Sequence, residues 1–185
     1  MASKWKTLNG DKIDDVVELL KQYKDRIIHI GTDSLQTGRW TQFVTVVVVL
    51  NPPKGGRVFY LRDVQPRISS LRERLTKEVW KSLEVAIQLP EFDLTVHIDA
   101  NPDTKHMSSK YLQELVGLVV GQGFKALWKP DSWAATHAAD HIVRIHGKLP
   151  RTAGSAHGGR SGLNPEGRLE RGGSIPQPAA IRRAR

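Results

Sequence analysis

The sequence predicts an α/β domain, a mixed five-stranded sheet with helices on both faces. Three observations predict it. Three β-rich segments follow one another between residues 26 and 64 with only turns between them. After residue 68, helical spacing and short apolar strands alternate. The β-rich segments also run in the order expected of a hairpin followed by crossover units, which requires a sheet covered by helices.

The elements are justified in order. Ile13, Val16, Val17 and Leu20 recur at helical spacing, predicting a leading helix over about 11–24. Arg26 to Ser34 reads as a buried strand ending in polar residues. Trp40 to Leu50, rich in Val and Thr, is a second strand, and Arg57 to Val64 a third. The turn Asn51-Pro52-Pro53-Lys54-Gly55-Gly56 joins them as a hairpin.

A helix is predicted over about 69–89, stopped by Pro90, because proline cannot donate to the helical ladder. Asp93 to Asp99 alternates as a fourth strand. Ser108 to Val120 is helical and ends at Gly121 and Gly123, which suit a C-terminal cap. Phe124 to Trp128 is a fifth strand, and Asp131 to Ile145 a last helix bounded by Pro130 and Gly147. Strands one, four and five are expected to be parallel, with two and three as antiparallel additions.

Composition narrows the function classes. The chain has 185 residues, no Cys and 39% hydrophobic residues, enough for a core without staples. The lack of Cys excludes a disulfide scaffold, a thiolate zinc site and cysteine catalysis. The longest apolar run, Val46 to Leu50, is too short to span a bilayer, and the first residues lack the apolar segment of a signal peptide. A cytoplasmic protein without a membrane partner is the expectation.

The net charge of +9 is unevenly placed. Residues 1–147, the expected folded domain, hold 20 Lys and Arg against 17 Asp and Glu. Residues 148–185 hold eight against two, with seven Gly, four Pro and little apolar periodicity. Such a segment cannot bury enough surface to offset the entropy of ordering it, so it is expected to be a disordered basic tail. It reads either as an arm for nucleic acid or as a solubilising extension.

The carboxylates concentrate at one sheet edge. Asp33 and Asp99 end strands one and four, where open α/β sheets place their sites. His29, Gly31 and Asp33 share one face of their strand, and Thr95, His97 and Asp99 one face of theirs. If these two strands are neighbours, about 5 Å apart, the two carboxylates could point into one space. They repel unless a proton or cation lies between them, and hard cations such as Mg²⁺ prefer these oxygen ligands.

Glu78 lies within about 20° of Leu71, at the edge of its helix's apolar stripe, where a charge needs a partner. Asp131 opens the last helix at the same sheet edge, although it also suits a helix N-cap. Asp140, about 13 Å down the axis, is the alternate. His137 and His141 are spaced for zinc, but no Glu follows the first and no Cys supports them. Trp40 and Trp133 could stack on bases or pack against the core.

Several stretches carry a resemblance. They are Ile30-Gly31-Thr32-Asp33-Ser34, His97-Ile98-Asp99-Ala100-Asn101-Pro102, Ser108-Ser109-Lys110-Tyr111-Leu112, Gly117-Leu118-Val119 and Lys129-Pro130-Asp131-Ser132-Trp133-Ala134-Ala135. Together with the element order, they resemble the YkuK family of ribonuclease H-like proteins from about Asp25 to Arg144. The resemblance implies a ribonuclease H-like fold with Asp33, Glu78, Asp99 and Asp131 as catalytic, metal-binding acids. Asp140 would be an alternate ligand, and the cofactor Mg²⁺ or Mn²⁺.

The expected activity is hydrolysis of phosphodiester bonds in RNA, an RNA–DNA hybrid or structured DNA, with nucleic acid as the partner. Ser34, Asn101, Lys105, Lys110 and Lys129 lie near the same edge and are candidate substrate contacts. The alternatives are a non-catalytic nucleic-acid-binding module of the same fold and a protein-interaction scaffold.

Overall fold

The structure, a computed structural model, describes residues 4–51, 55–134, 137 and 142. Its elements are β1 (Trp5–Thr7), β2 (Lys12–Ile13), α1 (Val16–Lys21), β3 (Ile28–Thr37), β4 (Trp40–Leu50), β5 (Gly56–Pro66) and α2 (Leu71–Ala86). Then come β6 (Leu94–Ile98), a 3-10 turn (Met107–Tyr111), α3 (Leu112–Gly121) and β7 (Lys125–Trp128). The strands form one mixed sheet in the order β2-β1-β5-β4-β3-β6-β7. The predicted parallel neighbours are found: β3 pairs with β6 and β6 with β7, all parallel, while β4 and β5 are antiparallel.

The sheet has seven strands among the described residues, not the expected five. The additional pair comes from the N-terminus, where Lys6 and Thr7 pair with Tyr60 and Phe59 on the edge strand β5. At three and two residues, these strands are too short to show a period. The leading helix is correspondingly shorter than expected, opening at Asp15, whose carboxylate accepts from the N–H groups of Val17 and Glu18.

β3 runs three residues beyond Ser34. Its end pairs Thr37 with Trp40, and Gly38 at φ +56° makes the two-residue turn between β3 and β4. That arm carries both strands beyond β6, whose pairing with β3 ends at Gly31 and His97.

Strand alternation divides the apolar residues between two cores. On one face Ile28, Ile30, Val47, Val49, Leu94 and Val96 pack against α1, α2 and α3. Leu83, in the last turn of α2, is fully buried there. On the other face Val44, Val46, Val48 and Tyr60 pack against Ala134 and Ile142. Those two residues are eight apart, the spacing of one face of the predicted last helix. The rest of that helix and the expected tail at 148–185 lie mostly or wholly outside the described residues. No helix among the described residues is long and apolar enough to cross a membrane.

Candidate functional site

The register builds a row of functional groups across one sheet face. Gly31 of β3 pairs with His97 of β6, where the pairing ends, and Asp33 and Asp99 each follow two residues on, along the same face of their strands. Ile98 pairs with Trp128, so the next step sets Asp99 beside Lys129. On the other side Asp33 pairs with Val44, and Val44 with Arg62. The row therefore reads Arg62, Val44, Asp33, Asp99, Lys129 at strand spacings of about 5 Å. That face thus carries two carboxylates between strands that bear cations, Asp33 within β3 instead of at its expected end and Asp99 just past the end of β6.

Asp99 is mostly buried and forms an ion pair with Lys129, with Nζ 2.7 Å from Oδ1. The backbone N–H of Lys129 donates to the carbonyl of Ala100 at 3.2 Å, which fixes the root of its side chain beside the acid. The half-buried Asp33 accepts the N–H of Ser34 on Oδ1 at 2.7 Å.

Glu78 approaches from the opposite face, on α2. It is only 4% exposed, and its Oε1 accepts the hydroxyl of Ser34 at 2.6 Å. Arg74, one helical turn earlier, donates from Nη1 to the same hydroxyl at 3.0 Å. Its guanidinium lies 4.0 Å from the Glu78 carboxylate. Burial pushes the Glu78 carboxyl up to about 8; the Ser34 hydrogen bond opposes this, and the charges of Asp33 and Asp99 add to it. Glu78 therefore senses both Asp33 and Asp99, although it is turned towards Ser34.

Behind the row lies a buried imidazole pair. His29 Nδ1 and His97 Nε2 are 2.8 Å apart and share one hydrogen bond. Thr95 and His97 of β6 pair with His29 and Gly31 of β3, which sets the two rings on one face of neighbouring strands. Trp133 packs on both, with centroids 5.0 and 5.3 Å away, and the N–H of Ala134 donates to His97 Nδ1 at 3.2 Å. Burial depresses His29 to about 4, and burial plus its neighbour depress His97 to about 3. These rings anchor the segment that follows Asp131 against β6.

The remaining expected residues are distributed around the edge. Asp131 is exposed, three residues past the end of β7, where its N–H donates to the carbonyl of Trp128 at 2.8 Å. Asn101 is turned inward to its own loop, its side-chain oxygen accepting from the N–H of Asp103 at 2.9 Å. Lys105 and Lys110 are exposed, on that loop and on the 3-10 turn. Ser34 is 8% exposed and committed to Glu78 and Arg74. Asp140 and His141 lie outside the described residues, and His137 is exposed.

Sequence reasoning did not single out Arg74, the Asp99–Lys129 pair or the His29–His97 pair. Arg74 was legible as the residue four before Glu78 on one helix. The two histidines occupy the same alternate positions as the acids, but only the register shows that the rings meet.

The donors suit a hard divalent cation in kind: Asp33 and Asp99 offer carboxylate oxygens on one sheet face, and Glu78 responds to both charges. Among the described residues no three acids or imidazoles converge on one point as a closed cage. Glu78 is held by Ser34 and Asp99 by Lys129, so closing one around an ion requires these side chains to turn.

Comparison with known proteins agrees with this fold. The uncharacterized protein YkuK of Bacillus subtilis (strain 168) is 26% identical over 154 residues, covering 70% of this chain and 90% of the relative. Residues 11–144 match the family described as ribonuclease H-like. That match spans every helix and all the strands but the first, and this chain belongs to the ribonuclease H-like family as a YkuK-like member.

Proposed function

We propose that this protein is a divalent-metal-dependent nuclease that hydrolyses phosphodiester bonds in RNA, an RNA–DNA hybrid or structured DNA. The ribonuclease H-like fold supports a nuclease-type or nucleic-acid-related function at the coarser level. The observation that carries the finer reading is that Asp33 and Asp99 follow the end of the β3–β6 pairing on one face of these two neighbouring parallel strands, both within reach of the charge of Glu78. Two carboxylates brought together on one sheet face cost stability unless a cation compensates them.

Asp33 and Asp99 would hold Mg²⁺ or Mn²⁺, with Glu78 and either Asp131 or Asp140 completing the ligand set. A bound ion supplies Lewis-acid polarisation of the phosphate and an activated water. The protein's own residues do the positioning. Arg74 and Ser34 orient Glu78, the His29–His97 pair docks the segment carrying Asp131, and Lys105 and Lys110 present ammonium groups to the phosphate backbone.

The test is incubation of labelled single-stranded, duplex, hybrid and branched substrates with Mg²⁺, Mn²⁺ or EDTA, with Asp99→Asn alongside. Metal-dependent cleavage that disappears in the variant is expected. Cleavage that persists in the variant overturns the assignment of the site. Salt-dependent binding without cleavage of any substrate replaces this reading with a non-catalytic nucleic-acid-binding module.

A further inference from the structure

We propose that Lys129 is a resident cation of the carboxylate row, occupying Asp99 until a divalent ion displaces it and thereby weakening ion affinity. This rests on the metal-dependent reading above and specifies how the site is held without its ion.

Three observations carry it. The ammonium lies 2.7 Å from Asp99 Oδ1, a contact that occupies the oxygen an ion would need. The pair is partly withdrawn from water, with side-chain exposures of 18% for Asp99 and 35% for Lys129, so it is less screened than a surface ion pair. Its position is built in, because the Ile98–Trp128 pairing and the Lys129 N–H to Ala100 bond set the residue one strand over from the acid. Asp99 thus has a cation from the chain itself.

The geometry also distinguishes Lys129 from Arg74, the cation beside Glu78. Arg74 reaches them from the α2 face, through Ser34, and its guanidinium is tied to that hydroxyl. Lys129 stands in the same row and on the same face as Asp33 and Asp99. Its four-carbon stem can rotate outward without moving the backbone. An incoming ion can therefore replace the ammonium at Oδ1, and the released ammonium stays at the rim, where a substrate phosphate would lie.

Mn²⁺ binding measured by the loss of the free-ion EPR signal tests this without any activity. Lys129→Met is expected to bind Mn²⁺ roughly fivefold or more tightly than the wild type, the scale of one competing ion pair. Lys129→Arg, which keeps the charge, should stay near the wild type, and Asp99→Asn should bind more weakly. Equal or weaker binding by Lys129→Met overturns the role of Lys129 alone. No binding by either the wild type or Lys129→Met at millimolar Mn²⁺ overturns the metal reading as well.

A second measurement uses the unaltered protein and does not depend on a variant folding. Amine acetylation mapped by mass spectrometry should label Lys129 faster when Mn²⁺ is present, with Lys105 and Lys110 as internal references. Labelling of Lys129 that does not change with Mn²⁺ overturns the displacement.

Discussion

The hydroxyl of Ser34 donates to Glu78 Oε1 at 2.6 Å, joining the residue after Asp33 to the acid on α2 through the edge of the sheet. The same hydroxyl accepts from Arg74. One small side chain therefore sets the orientation of two charged ones. Replacing it by Ala leaves a buried carboxyl and a guanidinium short of a partner. Ser34→Ala is expected to lose about 1–3 kcal/mol in urea unfolding. It should also raise the Glu78 titration further, since the lost bond favours the charged form; carboxyl ¹³C NMR would read that shift.

Glu78 makes stability depend on pH at the alkaline side. Its folded value, about 8, is above the ordinary 4.5, so between those values the native state binds a proton that the unfolded state has lost. Stability is therefore lost as pH rises from about 4.5 through about 8. Glu78→Gln should remove this dependence and unfold at higher denaturant than the wild type at pH 9. A wild-type protein equally stable at pH 6 and pH 9 would contradict the assignment.

The imidazole pair acts in the opposite direction. His29 and His97 fall from 6.5 to about 4 and about 3, so below 6.5 the unfolded chain takes up protons that the native pair resists. Their contribution is present above 6.5 and lost as pH falls towards 4, on the order of a few kcal/mol for the pair. The shared 2.8 Å bond also cannot form between two imidazolium rings. Stability should pass through a maximum near pH 6.5, and His29→Gln should flatten the acid limb in urea titrations.

The core prediction is independent of the site. Leu83 on α2 is fully buried against the face formed by β3, β4 and β6. Leu83→Ala should cost about 2–5 kcal/mol by leaving a cavity in that layer. The Arg72–Glu114 pair between α2 and α3 is exposed at 62% and 39%, and Arg72→Ala should cost under about 1 kcal/mol. Parallel thermal melts would separate the two.

Much of this was legible in the residues. The Val-rich run Trp40–Leu50 had the predicted strand bounds, since β-branched residues buried on both faces have few other solutions. Alternation put Asp33 and Asp99 on one face of their strands; Asp33 was expected to end its strand but stands within β3, because the turn at Gly38 carries the β3–β4 hairpin on to Thr37. Glu78 was legible from its position at the edge of an apolar stripe. The short β1 and β2 were not, because two or three residues carry no period.

The sequence by itself determined the element order, the parallel core of the sheet, the faces on which the acids stand and the family resemblance. Those follow from periodicities of 2 and 3.6 and from local turn chemistry. Only the tertiary structure decided which side chains meet. Lys129 reaches Asp99 because β7 pairs with β6 in one register, and His29 reaches His97 because β6 pairs with β3 in another. A shift of one residue in either strand pairing would send those side chains to the opposite face, and register is a property of the assembled sheet.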